Sequence, residues 1–400
     1  MTLANGRPLL AIPGPSVIPD RVLAAMHRPA PNIYEGELIE MTDTVLRDLR
    51  RVARTEGEVC IYIGNGHAAW EAALANTLAP GDRALVLATG RFGKGWAEMA
   101  KTRGIDVDLL DFGTERPVDP AEVEARLKAD KGGKVRAVLT VHTDTATSVR
   151  NDIAAIRAAI DAAGHEALFM VDCIADLACE RFEMDAWGVD VTVSASQKGL
   201  MTPPGLGLVF FGARARAARA RLGAVSSYWD WVPRTEGGVY YQKFCGTAPT
   251  HHIFGLREAL TMLLEEEGLE AVWQRHRHLA EAVWTAVGHW AAGGPLRCNV
   301  PDRLHRSTAV TAVLTGEADA EALRRWCADR AGLTLGVGLG LSGPTKGSRT
   351  PGLFRIGHMG HLNPPMLLGT LATIEAGMKA LGIPHGDGAL SGAAAVIAKA

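Results

Sequence analysis

Apolar segments of strand length alternate with helix-forming segments between residues 60 and 200, and this alternation limits the possible folds more than any other feature of the chain. The strand-like segments are RALVLA (83–88), VRAVLTVH (135–142), ALFMVDCI (167–174) and DVTVSAS (190–196). The helix-like segments are HAAWEAALANTL (67–78), PAEVEARLKAD (120–130) and DIAAIRAAIDAA (152–163). Strands that are apolar along their whole length are buried on both faces, which is typical of parallel sheets. The pattern therefore predicts an α/β fold with a mostly parallel sheet covered by helices on both faces.

The pattern changes near residue 255, which predicts a second, smaller unit. The segment 253–287 is long and helical, with a glycine near its middle. After it come STAVTAVL (307–314), a helix near 319–330, LFRIGHMG (353–360) and a last helix from about 365. A chain of 400 residues is long enough for more than one core. We expect an N-terminal arm (1–20), a large domain (21–265) and a small C-terminal α+β domain (266–400).

Charge, hydropathy and cysteine spacing exclude several classes of function. The net charge is -2 and the pI is about 6.7, so no basic surface for nucleic acid or an anionic membrane is expected. The sequence has no apolar run of eighteen residues, and its start lacks the basic region of a signal peptide. The six cysteines form no CxxC pair, and the histidines show no metal-site spacing. We therefore expect a cytoplasmic protein with reduced cysteines and no metal, membrane or nucleic-acid partner.

Polar residues stand where the strand-like segments end, and in α/β sheets ligands bind at that edge. Gly64-Asn65-Gly66-His67 forms a turn that leads into a helix, so its amides either face a phosphate or serve only the turn. Phe92 lies between glycines on a predicted loop and is either a core aromatic or part of the site. The hydroxyl-rich TDTATSV (143–149) either joins the site or caps the helix that begins near Asp152.

Two ionisable residues end the next two strands. Asp172 terminates an apolar strand, where a charge is costly unless it is paired or hydrogen-bonded. Lys198 follows DVTVSAS and precedes a rigid Gly-Leu-Met-Thr-Pro-Pro turn, although most lysines are solvated surface charges. One ligand would use both groups, the phosphate-type turn and an aromatic face: pyridoxal 5'-phosphate (PLP). Its aldehyde reacts with a lysine amine, and a carboxylate favours the protonated form of its ring nitrogen.

Three further segments carry a resemblance to a known family. They are IPGPSVIPD (12–20), VDCIADLACERFEMDAWGVDVTVSASQKGLMTPPGLGLV (171–209) and RIGHMG (355–360). With them the chain resembles the class V (fold type I) PLP enzymes, and within these the alanine–glyoxylate and serine–glyoxylate aminotransferases. The resemblance implies a large PLP-binding domain and an enzyme that moves an amino group from a small L-amino acid to glyoxylate or pyruvate by a ping-pong mechanism. The donor would be alanine, serine or aspartate.

The resemblance also implies a role for each matching residue. Lys198 would form the Schiff base with PLP and move the substrate proton, and Asp172 would pair with the pyridine nitrogen. Arg355 would bind the substrate α-carboxylate, with Pro13 and Gly14 lining the substrate side. The other residues that the resemblance places around the cofactor are Asn65, Gly66, His67, Phe92, Thr145, Ile174, Gln197, Phe244 and Thr247.

Within this set, Phe92 and Ile174 would cover the two faces of the ring. Thr145 would lie near the 3'-oxygen of the ring. Thr247 matches a hydroxyl that the family lends to the phosphate of the neighbouring subunit. The resemblance thus implies a homodimer with active sites at the subunit interface.

Three departures from the family pattern leave the substrate open. Phe244 stands where relatives often have a tyrosine, Val17 replaces an asparagine, and YEGE (34–37) replaces His-Arg-Ser. The last two positions lie near the substrate side in the family. They therefore affect the choice of substrate more than the binding of the cofactor.

Two other functions remain as alternatives. The first is a class V lyase such as a cysteine desulfurase or a kynureninase. A desulfurase needs an activated cysteine on a mobile loop, whereas Cys327 lies in a helical pattern and Cys298 beside a turn. The second is a nucleotide-binding oxidoreductase, because GVGLGLSGPTKGS (336–348) is rich in glycine. That segment does not open a helix after an N-terminal strand, as a dinucleotide fingerprint requires.

Overall fold

The structure is a computed structural model that describes residues 2–340 and 352–400. The strands in this part of the chain are β1 (Leu9–Ala11), β2 (Glu58–Gly64), β3 (Arg83–Ala88), β4 (Asp106–Asp111), β5 (Val135–Val141), β6 (Thr143–Asp144), β7 (Val149–Arg150), β8 (Leu168–Asp172), β9 (Val191–Ala195), β10 (Gly205–Phe211), β11 (Arg297–Cys298), β12 (Val310–Leu314), β13 (Leu333–Leu335) and β14 (Leu353–Gly357). The helices are α1 (Asp20–Met26), α2 (Glu37–Ala53), α3 (Gly66–Thr77), α4 (Arg91–Thr102), α5 (Pro120–Lys128), α6 (Ile153–Ala162), α7 (Ala213–Arg221), α8 (Val232–Glu236), α9 (Thr250–Thr261), α10 (Leu269–Ala291), α11 (Ala320–Ala331), α12 (Pro364–Leu381) and α13 (Ala389–Ile397).

The central sheet is mostly parallel, as the sequence predicts. Its strand order is β2-β10-β9-β8-β5-β3-β4, and β10 alone runs antiparallel to both of its neighbours. Strand β8 shows why both faces are buried: Phe169 and Val171 pack into one apolar core, whereas Leu168 and Met170 pack into another. The carboxyl ends of β5, β8 and β9 therefore meet at one edge, with Asp172 at the end of β8.

A second, smaller layer follows, in which β11, β12 and β14 form an antiparallel sheet that contacts α10 and α11, while α12 and α13 pack on α10. Helix α10 joins the two cores, because Val272 packs in the large one and Trp284 in the small one. The segment 253–287 is helical as predicted, with one break. Gly268 has φ +84, which lies outside the helical region, so α9 and the π-helical turn Met262–Glu267 end there and α10 begins. The domain boundary at 265 stays a prediction.

The N-terminal segment connects β13 to the turn that carries Lys198. Strand β1 pairs in parallel with β13, with Leu9 opposite Leu333. Further on, the amide of Ser16 donates to the carbonyl oxygen of Gln197 at 2.9 Å, and the Ser16 hydroxyl donates to the carbonyl oxygen of Lys198 at 2.7 Å. These bonds fix the segment between the two layers, so residues 13–15 lie against Lys198.

Two further observations bear on the surroundings of the protein. None of the helices in residues 2–340 and 352–400 is both long and apolar enough to cross a bilayer. The six cysteines are all free thiols, and five of them are buried.

Candidate active site

Lys198 lies just after β9, on a turn that holds its side chain over the edge of the sheet. Its Nζ donates a hydrogen bond to the carbonyl oxygen of Pro13. The pKa of Lys198 is lowered to about 8, mainly by burial and also by the positive charge of Arg355, whereas Asp172 acts in the opposite direction. A lysine with this pKa has a sizeable neutral fraction near neutral pH, which a nucleophilic amine requires.

Two glycines make this placement possible. A Cβ on Gly14 would overlap the Nζ of Lys198, and Gly14 has φ +101. A Cβ on Gly199 would overlap the carbonyl oxygen of Leu177. Backbone therefore packs directly on the lysine side chain at Gly14 and on the residue that follows the lysine at Gly199, so its amine reaches the site from a fixed origin.

Asp172 is a buried carboxylate held by two neutral donors. The indole Nε1 of Trp70 donates to its Oδ2 at 2.8 Å, and the amide of Ile174 donates to its Oδ1 at 2.6 Å. The pKa of Asp172 is raised to about 7, mainly by burial and also by the nearby acids Asp176 and Asp144, whereas the two hydrogen bonds act in the opposite direction. Its surroundings in the described chain thus disfavour the anion, and a cationic N–H beside it would reverse that preference.

The turn before α3 packs directly on the segment that follows Asp172. The side chain of Asn65 accepts a hydrogen bond from the amide of His67 at 3.0 Å and caps the helix. A Cβ on Gly66 would overlap the Cδ1 of Ile174, so the isoleucine rests on the bare backbone of the turn. Two of the predicted site residues, Gly66 and Ile174, are therefore in contact just after the end of β8.

The prediction that Phe92 lies on a loop is wrong. Phe92 is in the first turn of α4, and its ring makes an edge contact with Trp70 at a centroid distance of 6.3 Å. Its amide donates to the carboxylate of Asp144 at 2.8 Å. The helix start was hidden because its cap position is Gly90, which has no side chain, and the capping group comes from a distant strand.

Arg355 lies in β14 with 5% of its surface exposed. Its Nε donates to the carbonyl oxygen of Val337 at 2.7 Å, and its Nη1 donates to the carbonyl oxygen of Thr145 at 2.9 Å. Burial lowers the pKa of Arg355 to about 10. Within the described residues no carboxylate forms an ion pair with it. Among the described residues the guanidinium of Arg355 is held by backbone carbonyl groups, so it is suited to receive a carboxylate from a ligand.

Two predicted residues lie apart from this group within one chain. Phe244 is buried in the large core and makes an edge contact with Tyr240 at 5.6 Å. Thr247 is exposed, on the loop before α9. Gln197 does lie beside Lys198, and its backbone carbonyl oxygen accepts the amide of Ser16. The role of Thr247 in a partner's site stays a prediction.

Sequence reasoning missed a buried pair behind Asp172. The amide of His142 donates to the carbonyl oxygen of Asp172 at 2.8 Å, and its Nδ1 lies 3.0 Å from the Oδ2 of Asp176. The thiol of Cys173 is close by, with the potential ligand atoms of all three residues within 4.8 Å of one another. His142 directly follows β5 and Asp176 lies on the turn after β8, so no sequence spacing connects the two residues. The available signal was one histidine at a strand end and one more acid in the next turn.

Comparison with known proteins assigns the chain to a family. The model of the family described as aminotransferase class-V matches residues 21–356. The chain belongs to the class V aminotransferases. A serine–glyoxylate aminotransferase of Methylorubrum extorquens is 38% identical over 383 residues, covering 94% of this chain and 92% of the relative. An L-aspartate–glyoxylate aminotransferase of Paracoccus denitrificans is 35% identical over 376 residues, covering 93% of this chain and 91% of the relative.

A solved structure supports the same assignment. The pyridoxamine–pyruvate aminotransferase of Mesorhizobium loti matches with a TM-score of 0.89 at 27% identity, and the match covers 100% of both chains. The predictions of the family, of the fold class and of an aminotransferase are confirmed.

Proposed function

We propose that this aminotransferase binds PLP and moves an amino group from alanine, serine or aspartate to glyoxylate or pyruvate. The observation that carries the proposal is one juxtaposition at the edge of the sheet. A lysine whose pKa is lowered to about 8 stands near a buried carboxylate whose hydrogen-bond donors are neutral. The names of the relatives support glyoxylate as the acceptor and serine or aspartate as a donor.

The residues at this edge fit the cofactor. Asp172 would hold the protonated ring nitrogen, because a cationic N–H offsets the burial that raises the pKa of this carboxylate to about 7. Ile174 and Phe92 would contact the ring, and Thr145 would lie near its 3'-oxygen. The residues proposed to surround the phosphate are Asn65, Gly66, His67 and Gln197. When bound, PLP supplies an electron-withdrawing ring that stabilises negative charge at the substrate's α-carbon.

The remaining chemistry comes from two side chains and the N-terminal segment. The Nζ of Lys198 would hold the cofactor covalently and then move the proton at the α-carbon. Arg355 would bind the α-carboxylate and so orient the bond that is broken. Pro13 and Gly14 would limit the space on the substrate side, because they lie directly against Lys198.

We further propose a homodimer in a reducing compartment such as the cytoplasm. The exposed Thr247 supports the dimer, since a hydroxyl on the surface of one chain is available to a phosphate in the other. Six free thiols support the compartment.

The structure gives little support to the two alternatives. A desulfurase needs a thiolate, but burial raises the pKa of Cys327 to about 12, and it also raises the pKa of the buried Cys298. In the glycine-rich segment of the oxidoreductase alternative, residues 341–348 lie outside the described residues. The described part follows β13 of the small layer and not a strand of the central sheet.

A titration of the PLP-reconstituted protein tests the proposal. The visible band of bound PLP should disappear with one of the three donors and return when glyoxylate is added. The donor that removes the band at the lowest concentration is the preferred one. A band that no donor changes would favour lyase chemistry, and the absence of any band would exclude PLP binding at Lys198.

Replacing Arg355 with alanine should raise the KM for amino acid and 2-oxo acid alike by about 10- to 100-fold. Hydrogen bonds to a charged partner contribute about 1.5–3 kcal/mol each, and both substrates offer the same carboxylate. Steady-state kinetics with each substrate varied in turn would measure the effect.

Arg306→Ala is the matched control for this prediction. Arg306 also belongs to the small layer and donates to two backbone carbonyl oxygens, those of Val300 at 2.7 Å and Pro301 at 2.8 Å. It should lose stability without a change in KM. An unchanged KM in Arg355→Ala would move the carboxylate site elsewhere.

A further inference from the structure

Asp144 is a fully buried acid that sequence reasoning did not select. Its Oδ2 accepts the amides of Phe92 at 2.8 Å and Gly93 at 3.3 Å, and its Oδ1 accepts the amide of Ala146 at 3.0 Å. Two of these donors are the free N–H groups at the start of α4. Asp144 therefore does for α4 what an N-cap side chain usually does, from a strand some fifty residues away.

The contact between Asp144 and the start of α4 leaves no room for adjustment. A Cβ placed on Gly90 would lie 2.5 Å from the Cγ of Asp144, so the carboxylate packs on bare backbone. The backbone of Phe92 is consequently fixed relative to β6, which directly follows β5. A shift of Asp144 would move Phe92 with it.

The next residue along the chain ties the same turn to the small layer. The carbonyl oxygen of Thr145 accepts the Nη1 of Arg355 at 2.9 Å. The negative charge of Asp144 also acts on the guanidinium: it raises the pKa of Arg355, against the larger lowering that burial causes. No oxygen of Asp144 lies within 4.0 Å of the described nitrogens of Arg355. The negative charge of Asp144 thus stabilises the buried positive charge of Arg355 without forming an ion pair with the guanidinium.

We propose that Asp144 is a positioning residue that fixes Phe92 and Arg355 relative to each other, and so aligns the aromatic face of the site with its carboxylate-binding group. This inference rests on the proposed function, in which those two residues contact the cofactor and the substrate. In this inference, the carboxylate of Asp144 couples the position of Phe92 in the large layer to the position of Arg355 in the small layer.

A residue that only caps a helix would have a different set of effects. Asp144→Asn keeps the shape and one acceptor oxygen but removes the charge, and its NH2 group faces one of the amides. We expect the KM for both substrates to rise about tenfold and kcat to change less, with an altered visible circular dichroism of bound PLP. Asp144→Ala removes the acceptor oxygens as well as the charge, so it should lose more stability than Asp144→Asn and raise the KM at least as much.

Asp190→Asn provides the control. Asp190 is also a buried carboxylate, which accepts the amide of Phe169 at 2.8 Å and pairs with Arg214 at 2.8 Å, but it lies at the amino end of β9, away from the site. It should lose thermal stability and keep the wild-type KM.

Hydrogen exchange in the cofactor-free protein tests the same coupling without activity. Asp144→Asn should speed exchange both in residues 91–94 and in residues 353–357, whereas Asp190→Asn should affect neither. Faster exchange confined to 91–94 together with a wild-type KM in Asp144→Asn would reduce Asp144 to a helix cap and overturn the inference. Failure of the proposed function would look different: the wild-type protein would then show no visible band with PLP.

Discussion

Lys198→Ala should abolish amino-group transfer, with a loss of at least about 10⁴-fold in turnover, while the fold is retained. The variant removes both the amine that holds the cofactor and the group that moves the α-proton, and each function has a large share in the rate. The fold should tolerate the change. The only hydrogen bond of this side chain in the described structure goes to the carbonyl oxygen of Pro13, and its pKa of about 8 shows that burial already disfavours its charge. Single-turnover conversion of a donor amino acid would measure the loss.

Two further variants make this prediction specific. Lys94→Ala removes a lysine of α4 that pairs with Asp111 at the surface, and its turnover should stay close to wild type. Lys198→Arg keeps a positive charge but provides no neutral amine, so it should be as inactive as the alanine variant. Full activity in Lys198→Ala would mean that Lys198 is an ordinary buried lysine and that the cofactor, if bound, is held elsewhere.

The central sheet and the residues at its strand ends were predictable because each depends on a local pattern. The segment that ends at Asp172 is apolar along its length, and it forms β8 with both faces buried. The segment before Lys198 forms β9 in the same way. Strand ends in such a sheet converge at one edge, so the meeting of Asp172 and Lys198 follows from the fold class alone.

The features that were missed depend on contacts between distant parts of the chain. The start of α4 has no local cap, because Asp144 supplies it through the fold. The pair of His142 and Asp176 is formed between the segments that follow β5 and β8, and neither residue is marked by its neighbours in sequence. The break at Gly268 is a different kind of miss. A glycine in a helical pattern is compatible with a continuous helix, and only its φ of +84 decides the matter.

Arg355 and the N-terminal segment were found only through the resemblance to a family. An arginine in an apolar strand has no local feature that separates a substrate ligand from an edge residue. The contact of Pro13 with Lys198 depends on the pairing of β1 with β13, which brings the first residues of the chain beside the last strands. Such pairings have large sequence separation, and no periodicity in the sequence reveals them.

Asp172→Asn should lower kcat by about 10²- to 10³-fold and leave the cofactor-free protein at least as stable as wild type at pH 8. The loss of rate is of the size expected when one fixed electrostatic partner of a reaction centre is removed. The asparagine keeps the shape of the side chain and one oxygen for the indole of Trp70 or the amide of Ile174. Measurement of kcat at saturating donor and acceptor would separate this loss from weaker binding of either substrate.

The stability part of the prediction follows from the direction of the pKa shift. In the folded cofactor-free protein the pKa of Asp172 is raised from 3.8 to about 7, so the unfolded chain loses this proton more readily than the folded one. The contribution of this group to stability is therefore present below pH 3.8 and is lost as the pH rises through 7. Thermal melts of the cofactor-free wild type should show that decline between about pH 4 and 7, with little further change above it, and Asp172→Asn should show less of it. Saturation with PLP should reverse the order, because only the wild type gains an ion pair with the ring nitrogen. A near-normal kcat in the variant, or melts that depend on pH in the same way with and without the acid, would mean that Asp172 is not the partner of the ring nitrogen.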